Sequence, residues 1–229
     1  MMHIALFRLK GNSSTRQAER ERLRESTGKR LRRAVVPGNT LTQLVGMDEP
    51  REMNLYREGD DYSPPHDFAF KAQFSSADAL IATIEETGLP EKCVEWTVWE
   101  VEVSEKKARE SPADGTVPGI HMLHPLWFHD DLPRSVLLRS WREIHGDLAL
   151  RVHVGSNMYC QNLVTSAVVP GSAAPYGGFS EFHFPSYEAL RDGYFDSDRG
   201  RTEIRHDIRH FIKGVPPRFF AHEYRLTNV

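Results

Sequence analysis

The sequence predicts an α+β protein made of two ferredoxin-like βαββαβ repeats whose antiparallel sheets pack against each other into one barrel. Three observations predict it. The second half of the chain can be laid on the first without a gap over a long stretch. Each half shows the same order of strand and helix signals. The helices so placed cover one face of each sheet, and the other face is buried most simply against the sister sheet.

At an offset of 118 residues Arg24 falls on Arg142, Glu25 on Glu143, Gly28 on Gly146, Arg33 on Arg151, Val36 on Val154, Asn39 on Asn157, Gln43 on Gln161 and His3 on His121. At an offset of 110, Phe74 falls on Phe184, Ser76 on Ser186, Ala79 on Ala189 and Leu80 on Leu190. The smaller offset means that the first half holds eight more residues between the two blocks, a difference that loops absorb at small entropic cost. We expect residues 1–110 to form the first, structural repeat and 111–229 the second, carrying the site.

His3–Leu9 and Ile120–Phe128 are short apolar runs that read as opening strands. The segment Thr15–Ala34, with eight Arg or Lys and three Glu, one Gly and no Pro, reads as a helix with a solvated, charge-paired face. In the second half a helix is expected from Asp131 or Pro133 to about Leu148, with Leu137, Leu138, Trp141, Ile144, His145 and Leu148 at helical spacing. After turns at Gly38-Asn39 and Gly155-Ser156-Asn157, LTQLVG and MYCQNLVTSAVV read as second strands, and DFAFKAQF and GFSEFHF as third strands. Ser76 and Ser186 are placed as N-caps of second helices. EWTVWEVEV and RFFAHEYRL close the repeats, and Ser104–Gly119 reads as the connector between them.

At 229 residues and 39% hydrophobic content the chain can bury a good core. Cys93 and Cys160 lie far apart with no CxxC spacing, so neither a disulfide framework nor a zinc knuckle is suggested and a reducing compartment fits best. No segment has the length of a membrane span and the first residues lack a signal-peptide pattern, so a cytoplasmic protein is expected. A net charge of −3 argues against nucleic acid as a partner.

The second half resembles the EthD-like family of dimeric α/β-barrel proteins. Trp141, Arg142, His145, Gly146 and Leu148, then Tyr159 and Gln161, then Glu181, Phe184, Ala189, Leu190, Asp207 and Phe211 carry the resemblance, in order, over about residues 119 to 226. It implies a βαββαβ unit that pairs sheet to sheet; the barrel so formed is expected to enclose a pocket for a small molecule. Family members are generally single repeats that dimerise, so this chain carries the pair covalently, and a further homodimer is left open. In the first half Thr27 stands at the position of His145, Leu23 at Trp141 and Leu41 at Tyr159, so the chemistry is expected in the second half.

Nine of the eleven histidines lie at or beyond His121. Histidine exchanges protons near neutral pH, and His145 is the candidate catalytic acid or base; its competing role is to cap the helix that it ends. The candidate substrate-binding residues are His121, His124, Trp141, Tyr159, Glu181 and His183. His121 and His124, three apart on a strand, face opposite sides, whereas Glu181 and His183 share one. Trp141, Tyr159 and Trp127 suit either a stacking surface for an aromatic ligand or plain core. His206 and His210 are four apart on a helix, but HExxH is absent and no metal site is expected. GxGxxG, P-loop and GxSxG patterns are also absent, so no cofactor is assigned.

Two function classes emerge. One is a cofactor-free enzyme that uses His145 on a small hydrophobic, oxygenated substrate, as an isomerase, cyclase, decarboxylase, lyase or oxygenase. The other is a non-catalytic or stress-associated barrel that holds a hydrophobic or aromatic ligand. A narrower alternative is haem with a histidine axial ligand, since duplicated barrels of this architecture can hold one.

Overall fold

A computed structural model describes residues 1–33, 35–47, 64–112, 114–169 and 176–227; the stretch in which the two halves differ in length includes 48–63 and 170–175, outside the described residues. The first half runs β1 (Met2–Leu9), α1 (Ser13–Arg32), β2 (Thr40–Gly46), β3 (Phe68–Gln73), α2 (Ala77–Glu86), a single turn α3 (Leu89–Lys92) and β4 (Cys93–Lys107). The second runs β5 (Gly115–Phe128), α4 (Arg134–Leu138), a π-helical stretch Arg139–His145, α5 (Gly146–Val152), β6 (Met158–Val169), β7 (Gly178–Phe184), α6 (Tyr187–Gly193), α7 (Asp198–Asp207), a 3-10 turn Ile208–His210, β8 (Ile212–Gly214) and β9 (Phe219–Thr227). Ser76 and Ser186 cap their helices as expected, accepting from the amides of Ala79 and Ala189.

Within the first half the strand order is β4-β1-β3-β2, and within the second β9-β5-β7-β6. The seams β2–β9 and β4–β6 join the two, so eight antiparallel strands close into a barrel without a free edge. The connector is shorter than its composition suggests. Val103, Ser104, Glu105 and Lys107 pair with Asn162, Gln161, Cys160 and Tyr159, because ladder bonds use backbone groups that a charged, small-residue sequence does not disclose.

Strand alternation sends one set of side chains inward and the other under the helices. Ile4, Leu6, Leu44, Trp99, Leu123, Phe179 and Phe219 fill one part of the barrel interior. Outside, α1 and α2 cover Phe7, Phe68, Phe70 and Phe74, while the helices of the second half cover Ile120, Met122, Phe182 and Phe184. The apolar part of the interior is packed with these side chains; a cavity of about 330 Å3 lies at the polar end of the barrel, lined by Lys71, His121, Glu181 and Glu223, and a second lies outside the barrel, between sheet and helices of the second half.

The basic helix also differs from its solvated reading. Lys29 pairs with Glu25 at 2.6 Å on the outer face, but Arg16 and Arg20 turn inward and are buried against Asp67, at 3.2 and 2.9 Å. Asp67 also accepts the Leu9 amide at 2.7 Å. A carboxylate 47 residues beyond Arg20, on a different element, gives no signal within the helix itself.

Where the α5–β6 turn meets α6, Gly155 donates its amide to the Gly193 carbonyl at 2.8 Å, and a Cβ on Gly155 would overlap the Ala189 carbonyl oxygen. The Gly155→Ala variant is expected to lose about 1–3 kcal/mol as α6 is pushed outward. Urea unfolding tracked by circular dichroism would show it as a lower midpoint; an unchanged midpoint would refute this close approach.

Candidate functional site

The helix leading into the site is not a regular α-helix. Residues 139–145 wind with π geometry, which inserts an extra residue and rotates the next turn of helix. Ile144, expected on the buried face, is consequently exposed, while His145 turns inward. Gln161 on β6 holds this stretch in place, donating to the Trp141 carbonyl at 2.7 Å and to the Tyr159 hydroxyl at 2.8 Å. Gln43, its counterpart at the 118-residue offset, donates to the Arg24 carbonyl, one position further along than the counterpart of Trp141. The one-residue slip is what an extra residue in the second helix produces.

His145 ends the π stretch beside a cavity of about 520 Å3, within the range of ordinary small-molecule sites. Its Nδ1 lies 2.7 Å from Asp207 Oδ2, at the end of α7, and the ring meets Phe211 edge-on. Nε2 has no hydrogen-bond partner among the described residues and is not occluded, so it opens on the cavity. Phe182, Leu190, Tyr194 and Ile204 supply apolar wall; His124, His153, Ser180 and Arg218 supply the polar groups. Burial, then the nearby Arg218 charge, holds His124 well below the usual imidazole range. Burial likewise takes His153 down to about 4, against a bond from its Nδ1 to the Tyr194 carbonyl. Both rings are therefore neutral at pH ~7.

The candidate residues fall into three places. His145 and His124 share the helix-side cavity. Trp141 and Tyr159 are fully buried: Trp141 packs with Leu126, Leu163 and Phe211, and Tyr159 stacks flat on Phe182 at 4.3 Å, so Tyr159 supports the cavity wall from behind. His121, Glu181 and His183 lie on the opposite sheet face, in the barrel interior, as the parity of His121 and His124 requires. His153, Asp207 and Arg218 also join the cavity, and sequence reasoning does not select them as site residues. His153 sits in a turn and Arg218 just before β9, so neither belongs to a periodic pattern; Asp207 is visible only as part of the family resemblance.

The barrel-interior set forms an ionic network at the polar end of the barrel. His121 lies between Glu223 (2.7 Å) and Glu181 (3.1 Å), Lys71 pairs with Glu181 and Arg109 with Glu223. Lys71 and Glu181 occupy matching positions at the 110-residue offset and meet across the barrel. Burial pulls the His121 pKa down, and its bonds to the two glutamates overcome this, leaving it raised. For Glu223 burial acts upward and His121 and Arg109 prevail, bringing it to about 2. A raised folded-state value means that His121 stabilises fully below its unfolded value of 6.5 and that this contribution is lost as pH rises through the folded value. Urea midpoints compared at about pH 6 and about pH 9 should fall in the wild type and fall less in His121→Gln; equal slopes would refute the clamp.

No family model and no curated protein matches the chain. Solved structures do. An anthrone oxidase-like protein superposes with a TM-score of 0.55 at 13% identity, over 99% of this chain and 90% of that one. A dye-decolorizing peroxidase from Bacteroides thetaiotaomicron gives 0.54 at 12%, over 97% and 92%. A chlorite dismutase from Candidatus Nitrospira defluvii in complex with imidazole gives 0.52 at 10%, over 97% and 90%. The fold is that of the dimeric α/β-barrel proteins. Identities this low carry the fold alone. No helix among the described residues is long and apolar enough to cross a membrane.

Proposed function

We propose that the chain is an acid–base enzyme acting on a small, hydrophobic, oxygenated substrate in the helix-side cavity, with His145 as the base. The observation that carries this is the His145–Asp207 pair at 2.7 Å with Nε2 left open to a largely apolar cavity. Asp207 accepts from Nδ1–H, which fixes the lone pair on Nε2 and stabilises the imidazolium once formed. A substrate C–H or O–H proton moves to Nε2; the bonding pair stays behind as an enolate or phenolate. Arg218 at the cavity wall stabilises that anion where the apolar lining limits water. Isomerisation, cyclisation, decarboxylation, elimination and oxygenation can all proceed from such an anion. The EthD-like resemblance and the division into a structural half 1–110 and a site-bearing half 111–229 belong to this reading. It is supported by the anthrone oxidase-like neighbour. Deuterium exchange at the acidic C–H of a tricyclic ketone such as anthrone, monitored by NMR in heavy water, tests it. Exchange no faster than in buffer, with the ketone bound, would favour the binding-barrel alternative.

Haem is the second reading, and the donor set fits it. His145, backed by Asp207 and with Nε2 open, would hold the iron, and Arg191, Arg201, Arg205 and Arg218 line the same cavity, where they would pair with the carboxylates of the group. When bound, haem would supply one-electron and oxygen chemistry. His145 would hold it and Asp207 would orient His145. A Soret band that appears on haem addition and is lost in His145→Ala would replace the acid–base reading.

A further inference from the structure

Taking the acid–base reading of the cavity as its basis, we propose that His153 selects the substrate: its Nε2 is a fixed hydrogen-bond acceptor that requires a second hydroxyl, phenolic or enolic, on the molecule deprotonated by His145. The tautomer is set by geometry. His153 Nδ1 contacts the Tyr194 backbone carbonyl, which can only accept, so Nδ1 carries the proton and Nε2 the lone pair. Phe182, Tyr194 and Phe195 pack around the ring, with centroids at 5.0, 4.7 and 5.7 Å, and hold it in that orientation. Nε2 has no partner among the described residues, and the residue lines the cavity.

The ring is also kept neutral, since its folded-state pKa of about 4 leaves it unprotonated throughout the physiological range. It therefore differs in task from His145. A neutral imidazole with a fixed Nδ1–H is a poor base and a good acceptor, whereas His145, backed by a carboxylate, is built to take a full charge. Arg218 is a cation and can only donate. A ligand with one hydroxyl to give to His153 also meets the acceptor requirement of its Nε2; a ligand with ether oxygens in place of the hydroxyl covers Nε2 without a partner, which carries a desolvation penalty. At the 118-residue offset Val35 stands where His153 stands, as Thr27 stands for His145, so the first half lacks both groups together.

The test uses 2-naphthol and 2-methoxynaphthalene, which share the ring system and differ in the donor. Isothermal titration of the full chain should show 2-naphthol binding about five- to tenfold more tightly. The preference should persist in His145→Ala and fall to about one in His153→Phe, with 2-methoxynaphthalene affinity unchanged in the latter. Equal affinities in the wild type overturn the assignment of His153 while leaving the cavity reading in place. Should His153→Phe fail to fold, His145→Ala still decides: loss of the preference there gives the hydroxyl to His145 and overturns the proposal. If neither naphthalene binds, the cavity reading itself fails, and this inference with it.

Discussion

In the His145→Ala variant, proton exchange into the bound ketone should fall by about 10²-fold or more, the usual effect of losing a general base. Asp207→Asn should fall by a comparable factor, because an amide can also donate and lets the imidazole settle in the wrong tautomer. Thr27→Ala, at the matching position of the first half, should leave exchange unchanged. Ketone affinity should change little in both site variants, since the lost interaction is made to the proton in transit rather than to the resting molecule. If His145→Ala keeps the full rate and only melts several degrees lower, the ring is a helix-end stabiliser and the binding-barrel reading takes its place.

The largest effect on stability should come from Asp67→Ala. Its carboxylate receives two buried guanidinium groups, from Arg16 and Arg20, and the Leu9 amide. Removing it takes away the carboxylate that both guanidinium groups and the Leu9 amide share, and breaking a buried ion pair costs roughly 3–5 kcal/mol. For a chain of this size the melting temperature should drop by about 10 °C or more. Exchange at His145 should survive at temperatures where the variant remains folded, because Asp67 lies under the helices of the other half. A loss under about 1 kcal/mol would mean that water reaches the guanidinium groups and that the ion set is not dry.

Much of the fold is legible in the order of the residues. The 110-residue offset aligns Ser76 with Ser186, the acid and helical run after each mark them as caps, and both accept the amide three residues on. The strand MYCQNLVTSAVV matches β6 end to end, and GFSEFHF matches β7. These are local signals, since alternation and capping act within a few residues. The candidate site is legible in part. A separation of three residues puts His121 and His124 on opposite faces, and the structure has one in the barrel interior and the other on the helix-side cavity. Which face holds the cavity is not legible, because alternation fixes two faces and labels neither.

The amino-acid sequence by itself determined the order of elements, the antiparallel barrel class, the caps, the opposed faces of β5 and the concentration of histidine in the second half. Each rests on periodicity or self-similarity, which a single chain displays directly. The tertiary structure alone decided that β4 and β5 extend into the charged connector, that residues 139–145 wind as a π-helix and turn His145 inward, and that Asp207, His153 and Arg218 meet at its cavity. It also paired Arg16 and Arg20 with Asp67, and His121 with Glu181 and Glu223. These contacts join residues tens of positions apart, where the deciding quantity is the distance between side chains after the barrel has closed. Desolvation and Coulomb interactions depend on that distance and on burial, and neither is written along the chain.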